Sequence, residues 1–112
     1  MSNLVPLNTF KTTTVSVGTA DTLVYQAPLG TATVVLLAQF ATVGSGAVNV
    51  SANIYRAGVN TEIIKDFTIP LGDAASVLTG RLVLEEGNRL YCRANLASST
   101  KLVFSYLETA TA

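Results

Sequence analysis

The sequence predicts an all-β protein: a single antiparallel β-sandwich of about eight strands, immunoglobulin-like or jelly-roll. Three observations carry this. Thr and Val are abundant, and their branched side chains suit a pleated sheet. No segment holds an i, i+3, i+4, i+7 apolar stripe free of β-branched residues and turn signals. Breaks rich in Gly, Pro and Asn recur roughly every ten residues, the spacing of short strands in a sandwich or barrel.

Taken in order, the first strand is expected over residues 10–17 and ends at Gly18. The second covers 22–26 and stops at Pro28-Leu29-Gly30. The third, 31–43, is the most apolar and meets Gly44-Ser45-Gly46. The fourth, 47–56, precedes Ala57-Gly58-Val59-Asn60, and the fifth, 61–69, precedes Pro70-Leu71-Gly72-Asp73. The sixth, 76–84, is closed by Glu85-Glu86-Gly87-Asn88. The seventh covers 89–94, and a polar stretch leads to the last, 101–108. Residues 1–9 read as an extended N-terminal arm on a sandwich domain of 10–112. The arm's Leu4, Val5, Pro6 and Leu7 are too few for a core of their own.

Alternation assigns faces. In the fourth strand Val48, Val50, Ala52 and Ile54 share one face, and Asn49, Ser51, Asn53 and Tyr55 share the other, as in a strand with one wet side. The third strand breaks this rule. Val34, Val35, Leu36, Leu37, Ala38, Phe40, Ala41 and Val43 put apolar groups on both faces, with Gln39 between them. A strand of that kind in a two-layer sandwich needs its outer face covered; a neighbouring subunit is the expected cover, the alternatives being residues 1–11 folded back over it or a central strand shielded by loops.

Composition narrows the chemistry. Hydrophobic residues make up 49% of the 112 residues and charged ones 12%, against about a quarter in ordinary domains. Seven Lys and Arg balance seven Asp and Glu, so the basic surface that would displace counterions from phosphates is missing. Few charges and no net charge make a poorly soluble free surface, which burial against other subunits relieves. With no histidine, Ser-His-Asp, Cys-His and the usual Cys/His zinc sites are excluded. Gly-rich phosphate-binding motifs are absent. Cys92 stands alone and shares a face with Leu90 and Ala94, the pattern of a small buried residue.

Glu85-Glu86 could be taken for a carboxylate pair, but the two sit beside Gly87-Asn88 in a turn. Glu62 and Asp66 share a face as surface charges that pair across strands. A sugar site would draw on Tyr25, Tyr55, Tyr91 and Tyr106, there being no Trp. The N-terminus lacks a signal-peptide pattern, and the apolar stretch 34–43 is about half of what spans a bilayer. The expectation is synthesis in the cytoplasm, with no membrane partner, no nucleic acid, no metal, no cofactor and no enzymatic activity.

The turn chemistry is specific enough for comparison. A strand ends in Tyr25-Gln26-Ala27-Pro28-Leu29-Gly30, and a long apolar strand follows. After a Gly/Ser turn comes a Val-x-Val strand running from Val48 to Tyr55 and Gly58. Then come Ile69-Pro70-Leu71-Gly72 and Leu82-Val83-Leu84-Glu85-Glu86-Gly87-Asn88. Over roughly residues 20–108 this pattern resembles a recurrent family of small tailed-bacteriophage virion proteins. The resemblance implies a structural part of a virion: a capsid decoration or cement protein that staples neighbouring subunits without covalent bonds. It implies a homo-oligomer, a trimer first, with capsid or other virion proteins as partners. The alternatives are a tail- or fibre-associated adhesin for host glycan or protein, and a neck or tail connector. It carries no catalytic residues. Candidate assembly residues are Leu4, Val5, Pro6 and Leu7 of the arm and Val35, Leu37, Phe40 and Val43 of the third strand.

Overall fold

A computed structural model describes residues 8–76, 81–96 and 99–110. Nine strands are present among them: β1 Asn8–Ser16, β2 Thr22–Gln26, β3 Thr31–Thr42, β4 Val48–Arg56, β5 Val59–Ile69, β6 Ala74–Ser76, β7 Leu82–Leu84, β8 Arg89–Ala94 and β9 Thr100–Ala110. One sheet has the order β1-β9-β3-β6, with β7 also paired to β3, and the other has the order β2-β8-β4-β5. All pairs are antiparallel. Apart from the β4–β5 hairpin and the β6–β7 step, each connection passes from one sheet to the other. That is the jelly-roll arrangement, which settles the topology the sequence leaves open.

The count differs from the expected eight for a local reason. The single strand expected over 76–84 is two short pieces on the same side of β3. Ala74–Ser76 lies along Gln39–Ala41, and Leu82–Leu84 lies along Thr33–Val35. β1 also starts earlier than expected, taking in Asn8 and Thr9, which pair with Thr109 and Glu108. β5 starts at Val59, because Arg56 pairs with Val59 across a two-residue turn. Ala57 and Gly58 there have φ of 52° and 79°, as a hairpin turn with two left-handed residues requires.

Three other turns share one design. Thr31 N–H donates to Pro28 O, Asp73 N–H to Pro70 O and Asn88 N–H to Glu85 O, at 3.3, 3.1 and 3.0 Å. In each, the third residue is Gly30, Gly72 or Gly87, with φ from 73° to 81°.

The core lies between the sheets. Phe40, Phe104, Ile69, Leu84, Leu90, Leu102, Val35, Val48 and Val50 are its largest members, and Cys92 is buried among them. The rings of Tyr25, Phe104 and Tyr106 pack with centroids 4.5 to 5.6 Å apart, a separation at which tilted aromatic pairs attract. Each fully buried aliphatic or aromatic side chain contributes about 1.5–3 kcal/mol relative to exposure.

A candidate assembly surface on the five-stranded sheet

The two outer faces of the sandwich differ in kind. On the four-stranded sheet, the outward residues of β4 are Asn49, Ser51, Asn53 and Tyr55. They lie between Thr68, Asp66, Glu62 and Asn60 of β5 and Arg93, Tyr91 and Arg89 of β8. This face is a polar mesh. Thr68 donates to Asn49 Oδ1 at 2.7 Å, Asp66 N–H donates to Ser51 Oγ at 2.9 Å, and Asn53 Nδ2 donates to Asn60 Oδ1 at 2.8 Å. Ser51 and Asn53 were expected to be wet, yet both are buried, because the long side chains of the flanking strands close over the central one.

The outer face of the five-stranded sheet carries exposed apolar side chains set among Thr, Ser and Gln. Phe10, Thr12 and Thr14 of β1 lie beside Leu107, Ser105 and Val103 of β9. Beyond them come Val34, Leu36, Leu37 and Gln39 of β3, and then Val83 of β7. Phe10 is 73% exposed, Val83 55%, Leu36 41%, Val103 39% and Leu37 37%. A shallow depression of about 240 Å³ lies there, lined by Phe10, Lys11, Thr12, Leu36, Ser105 and Tyr106. Several large apolar side chains exposed on one face mark an interaction site more often than isolated ones do.

A bulge makes this face. The β3–β9 register shifts between Val35 and Leu37, leaving Leu36 as the extra residue. Before it Thr33 and Val35 point into the core; after it Ala38, Phe40 and Thr42 do. Leu36 and Leu37 therefore both face outward, side by side, which a regular strand forbids. The apolar character of both faces of the third strand thus has two sources: an inner set that switches parity and an outer set that stays uncovered among the described residues.

The bulge sorts the candidate residues. Leu37 and Val43 are exposed. Val35 and Phe40 have no exposed surface and belong to the core, so both are corrected from contact residues to packing residues. The sequence leaves the outward parity of this strand open, and the bulge turns Val35 on one side of it and Phe40 on the other into the core. Leu4, Val5, Pro6 and Leu7 lie outside the described residues. Sequence reasoning missed Phe10, Val83 and Val103. The Phe-x-Thr-x-Thr alternation of β1 was the available signal, but which of its faces met water was not readable.

The open side between β1 and β2 is closed by a polar cluster. Tyr25 of β2 reaches across to the other sheet, where its hydroxyl donates to the Glu108 carboxylate and meets Thr33 Oγ1 at 2.9 Å. Lys11 Nζ lies 2.9 Å from the other Glu108 oxygen. The phenol and the ammonium hold the Glu108 carboxyl below the usual carboxylate range. Burial, then the bond to Glu108, raises the Tyr25 phenol above its ordinary value. Lys11 is raised by Glu108.

The remaining sequence candidates take structural positions. Glu85 pairs with Arg56 at 2.9 Å, and Glu86 accepts the Gly30 N–H, so each supports a turn. Glu62 and Asp66 do share a face, but Asp66 bonds to the Ser51 hydroxyl rather than to a cation. Tyr25 and Tyr106 pack inward, while Tyr55 and Tyr91 stand half-buried on the polar face, with Arg89 5.8 Å from the Tyr55 ring and 3.2 Å from the Tyr91 hydroxyl. Burial pushes the Cys92 thiol up to about 12, with a smaller contribution from Asp21. Among the described residues no three His, Cys, Asp or Glu cluster as metal ligands, and no helix is long and apolar enough to cross a membrane.

No family model and no curated protein matches the sequence. Among solved structures, the chain is similar to a protein of Bacillus endospore appendages, which form a family of disulfide-linked pili. The TM-score is 0.58 at 12% identity, covering 99% of this chain and 100% of that one. A protein of the T13 particle of the virus IBDV is aligned over 94% of this chain and 31% of its own, at 14% identity and a TM-score of 0.42. The first likeness, at that identity, is one of fold: the β-sandwich described above recurs in a protein of nearly equal extent.

Proposed function

We propose that this protein is a structural subunit of a polymeric particle, and that the particle is a bacteriophage virion on which it serves as a decoration or cement protein. The observation that carries the reading is the apolar outer face of the five-stranded sheet, which the described chain leaves uncovered while the opposite outer face is a hydrogen-bonded polar mesh. One face meets water and one meets protein. The fold shared with an endospore-appendage protein agrees with a role as a repeating building block, and the turn motifs support the virion.

Attachment is non-covalent in this reading. The endospore pili are disulfide-linked, whereas Cys92 here is sealed in the core with its thiol protonated. Leu36, Leu37, Val83, Val103 and Phe10 supply the contact area, and the arm residues Leu4, Val5, Pro6 and Leu7 are proposed to extend it. The test is solution mass by light scattering over a dilution series, for wild type and for a Leu36→Asp, Leu37→Asp double variant. A concentration-dependent oligomer that the double variant loses is expected. A wild type that stays monomeric, with no binding to phage heads in co-sedimentation, overturns the proposal.

The cluster of Tyr55, Tyr91 and Arg89 favours a second reading, an adhesin that stacks a sugar on the polar face. Glycan binding abolished by Tyr91→Ala would support it.

A further inference from the structure

A jelly roll has four sheet edges, and an unpaired edge strand is a template for another strand unless something blocks it. Three of the four are blocked here. β2 has five residues and a register shift between Leu23 and Tyr25. β5 is broken by register shifts opposite Val50/Ala52 and Ala52/Asn53 and carries Asp66 at a φ of 49°. The far edge of the five-stranded sheet, beyond β3, consists of two separate three-residue pieces, β6 and β7.

β1 has none of these defences. Its nine residues pair with β9 without a register shift, from Asn8↔Thr109 to Ser16↔Lys101. Among the described residues no strand pairs with its other side. Every second residue therefore turns its backbone N–H and C=O towards solvent. An inward-pointing charge can guard such an edge, and Lys11 is the one charge on β1. Glu108 already holds it, at 2.9 Å, on the inner side.

We infer that β1 pairs antiparallel with β1 of a second copy, about a two-fold axis at Thr12. This rests on the reading of the chain as an assembly subunit and names how two subunits join. The occupant follows from the self-complementarity of the strand. Thr12 is the central residue of Asn8–Ser16, so a register centred there engages the whole strand. It sets Phe10 of each copy against Thr14 of the other, Lys11 against Thr13, and Thr9 against Val15. A register centred one residue earlier would set Lys11 against Lys11, and like charges directly opposite repel. The joined sheets continue the apolar outer faces into one surface, with both Phe10 rings on it. An isologous contact of this kind closes on itself and gives a dimer, which larger assemblies can use as their unit.

The test is a charge swap at the axis. Thr12 is exposed on the outer face, so Thr12→Lys and Thr12→Glu leave the core alone. Each variant by itself should dimerise about tenfold or more weakly than wild type, since two like charges meet at the axis. A mixture of the two should recover the wild-type affinity as a heterodimer. Thr12→Cys should form an interchain disulfide on mild oxidation, and Lys65→Cys on the bulged β5 edge should not. Oligomers that ignore both charges and give no Thr12→Cys cross-link, but that fall apart in the Leu36→Asp, Leu37→Asp variant, overturn β1 pairing while leaving the assembly reading intact. A monomeric wild type overturns β1 pairing by itself, and overturns the assembly reading as well only if it also fails to co-sediment with phage heads.

Discussion

Tyr25 shows how one side chain joins two layers. Its phenol crosses from β2 to Glu108 and Thr33 on the facing sheet, and Lys11 completes the charge balance. A hydrogen bond to a charged group contributes about 1.5–3 kcal/mol, so Tyr25→Phe should cost about 1–2 kcal/mol at pH 7 for this half-buried ring. The pH dependence follows from the shifts. Glu108 is held low in the folded state, so its contribution is present above the unfolded carboxyl range and is lost as pH falls through the lowered folded value. Tyr25 is held high, so its contribution is present below the unfolded phenol range and is lost as pH rises through the raised folded value. Urea unfolding of both proteins from pH 7 to pH 3 should show the gap between wild type and Tyr25→Phe closing on the acid side. A gap independent of pH would mean that the ring's packing, not its bond to Glu108, matters. At the other extreme, Phe40→Ala should cost about 3–5 kcal/mol, measured the same way, because Phe40 is completely buried. Ala57 holds a left-handed φ of 52° without the side chain that tolerates it, so Ala57→Asn should raise stability by about 0.5–1 kcal/mol.

At the scale of the element, β3 shows a single inserted residue deciding the surface chemistry of a sheet. The bulge at Leu36 turns two leucines outward and lets Ala38, Phe40 and Thr42 resume inward packing. Thr42, at the far end, is anchored by a backbone N–H bond to Asp73 O and a side-chain contact to Pro70 O, each 3.1 Å long. Because Leu36 and Leu37 are partly exposed, Leu36→Asp alone should change the monomer's unfolding free energy by no more than about 0.5 kcal/mol while weakening self-association. Thermal melts at low concentration, set beside light scattering at high concentration, separate the two effects. Loss of folding in the variant would show that the bulge is held by packing of Leu36 against its own chain. In the proposed assembly, β1 and β3 would act by different means, backbone at the edge and side chains on the face.

At the scale of the whole molecule, the zero formal net charge and the contrast between the two outer faces are what the proposed assembly role rests on. Association through apolar contact and strand pairing should be nearly insensitive to salt, because no charged pair carries it. Light scattering at 50 mM and 500 mM NaCl should give the same mass, and a strong fall at high salt would point to charged contacts instead. Reducing agent should leave the oligomer unchanged, since Cys92 is buried and its thiol is held protonated. Thiol labelling should proceed only as fast as the sandwich opens, and rapid labelling of the native protein would contradict the sealed core.

Much of this was legible along the chain. The strand positions follow from β-branched composition and from turn residues, and the three turns with Gly30, Gly72 and Gly87 at their third position are local structures whose backbone needs are met by the residues in place. That Cys92 shares a strand face with Leu90 and Ala94, and that Glu85 and Glu86 sit in a turn, were equally readable from neighbours in sequence. What the tertiary structure alone decided is non-local. The jelly-roll order, the split of one expected strand into β6 and β7, and the burial of Ser51 and Asn53 depend on which strands lie alongside. The bulge at Leu36 belongs to this group. An extra residue leaves no mark in a run such as Val34 to Leu37, where every side chain suits either face. Only the pairing of β3 with β9 shows where the register slips, and hence that Val35 and Phe40 are core while Leu36 and Leu37 are surface. Alternation encodes that a strand has two faces. Which face meets water is fixed by the second sheet, because burial is a property of the packed pair and not of the strand.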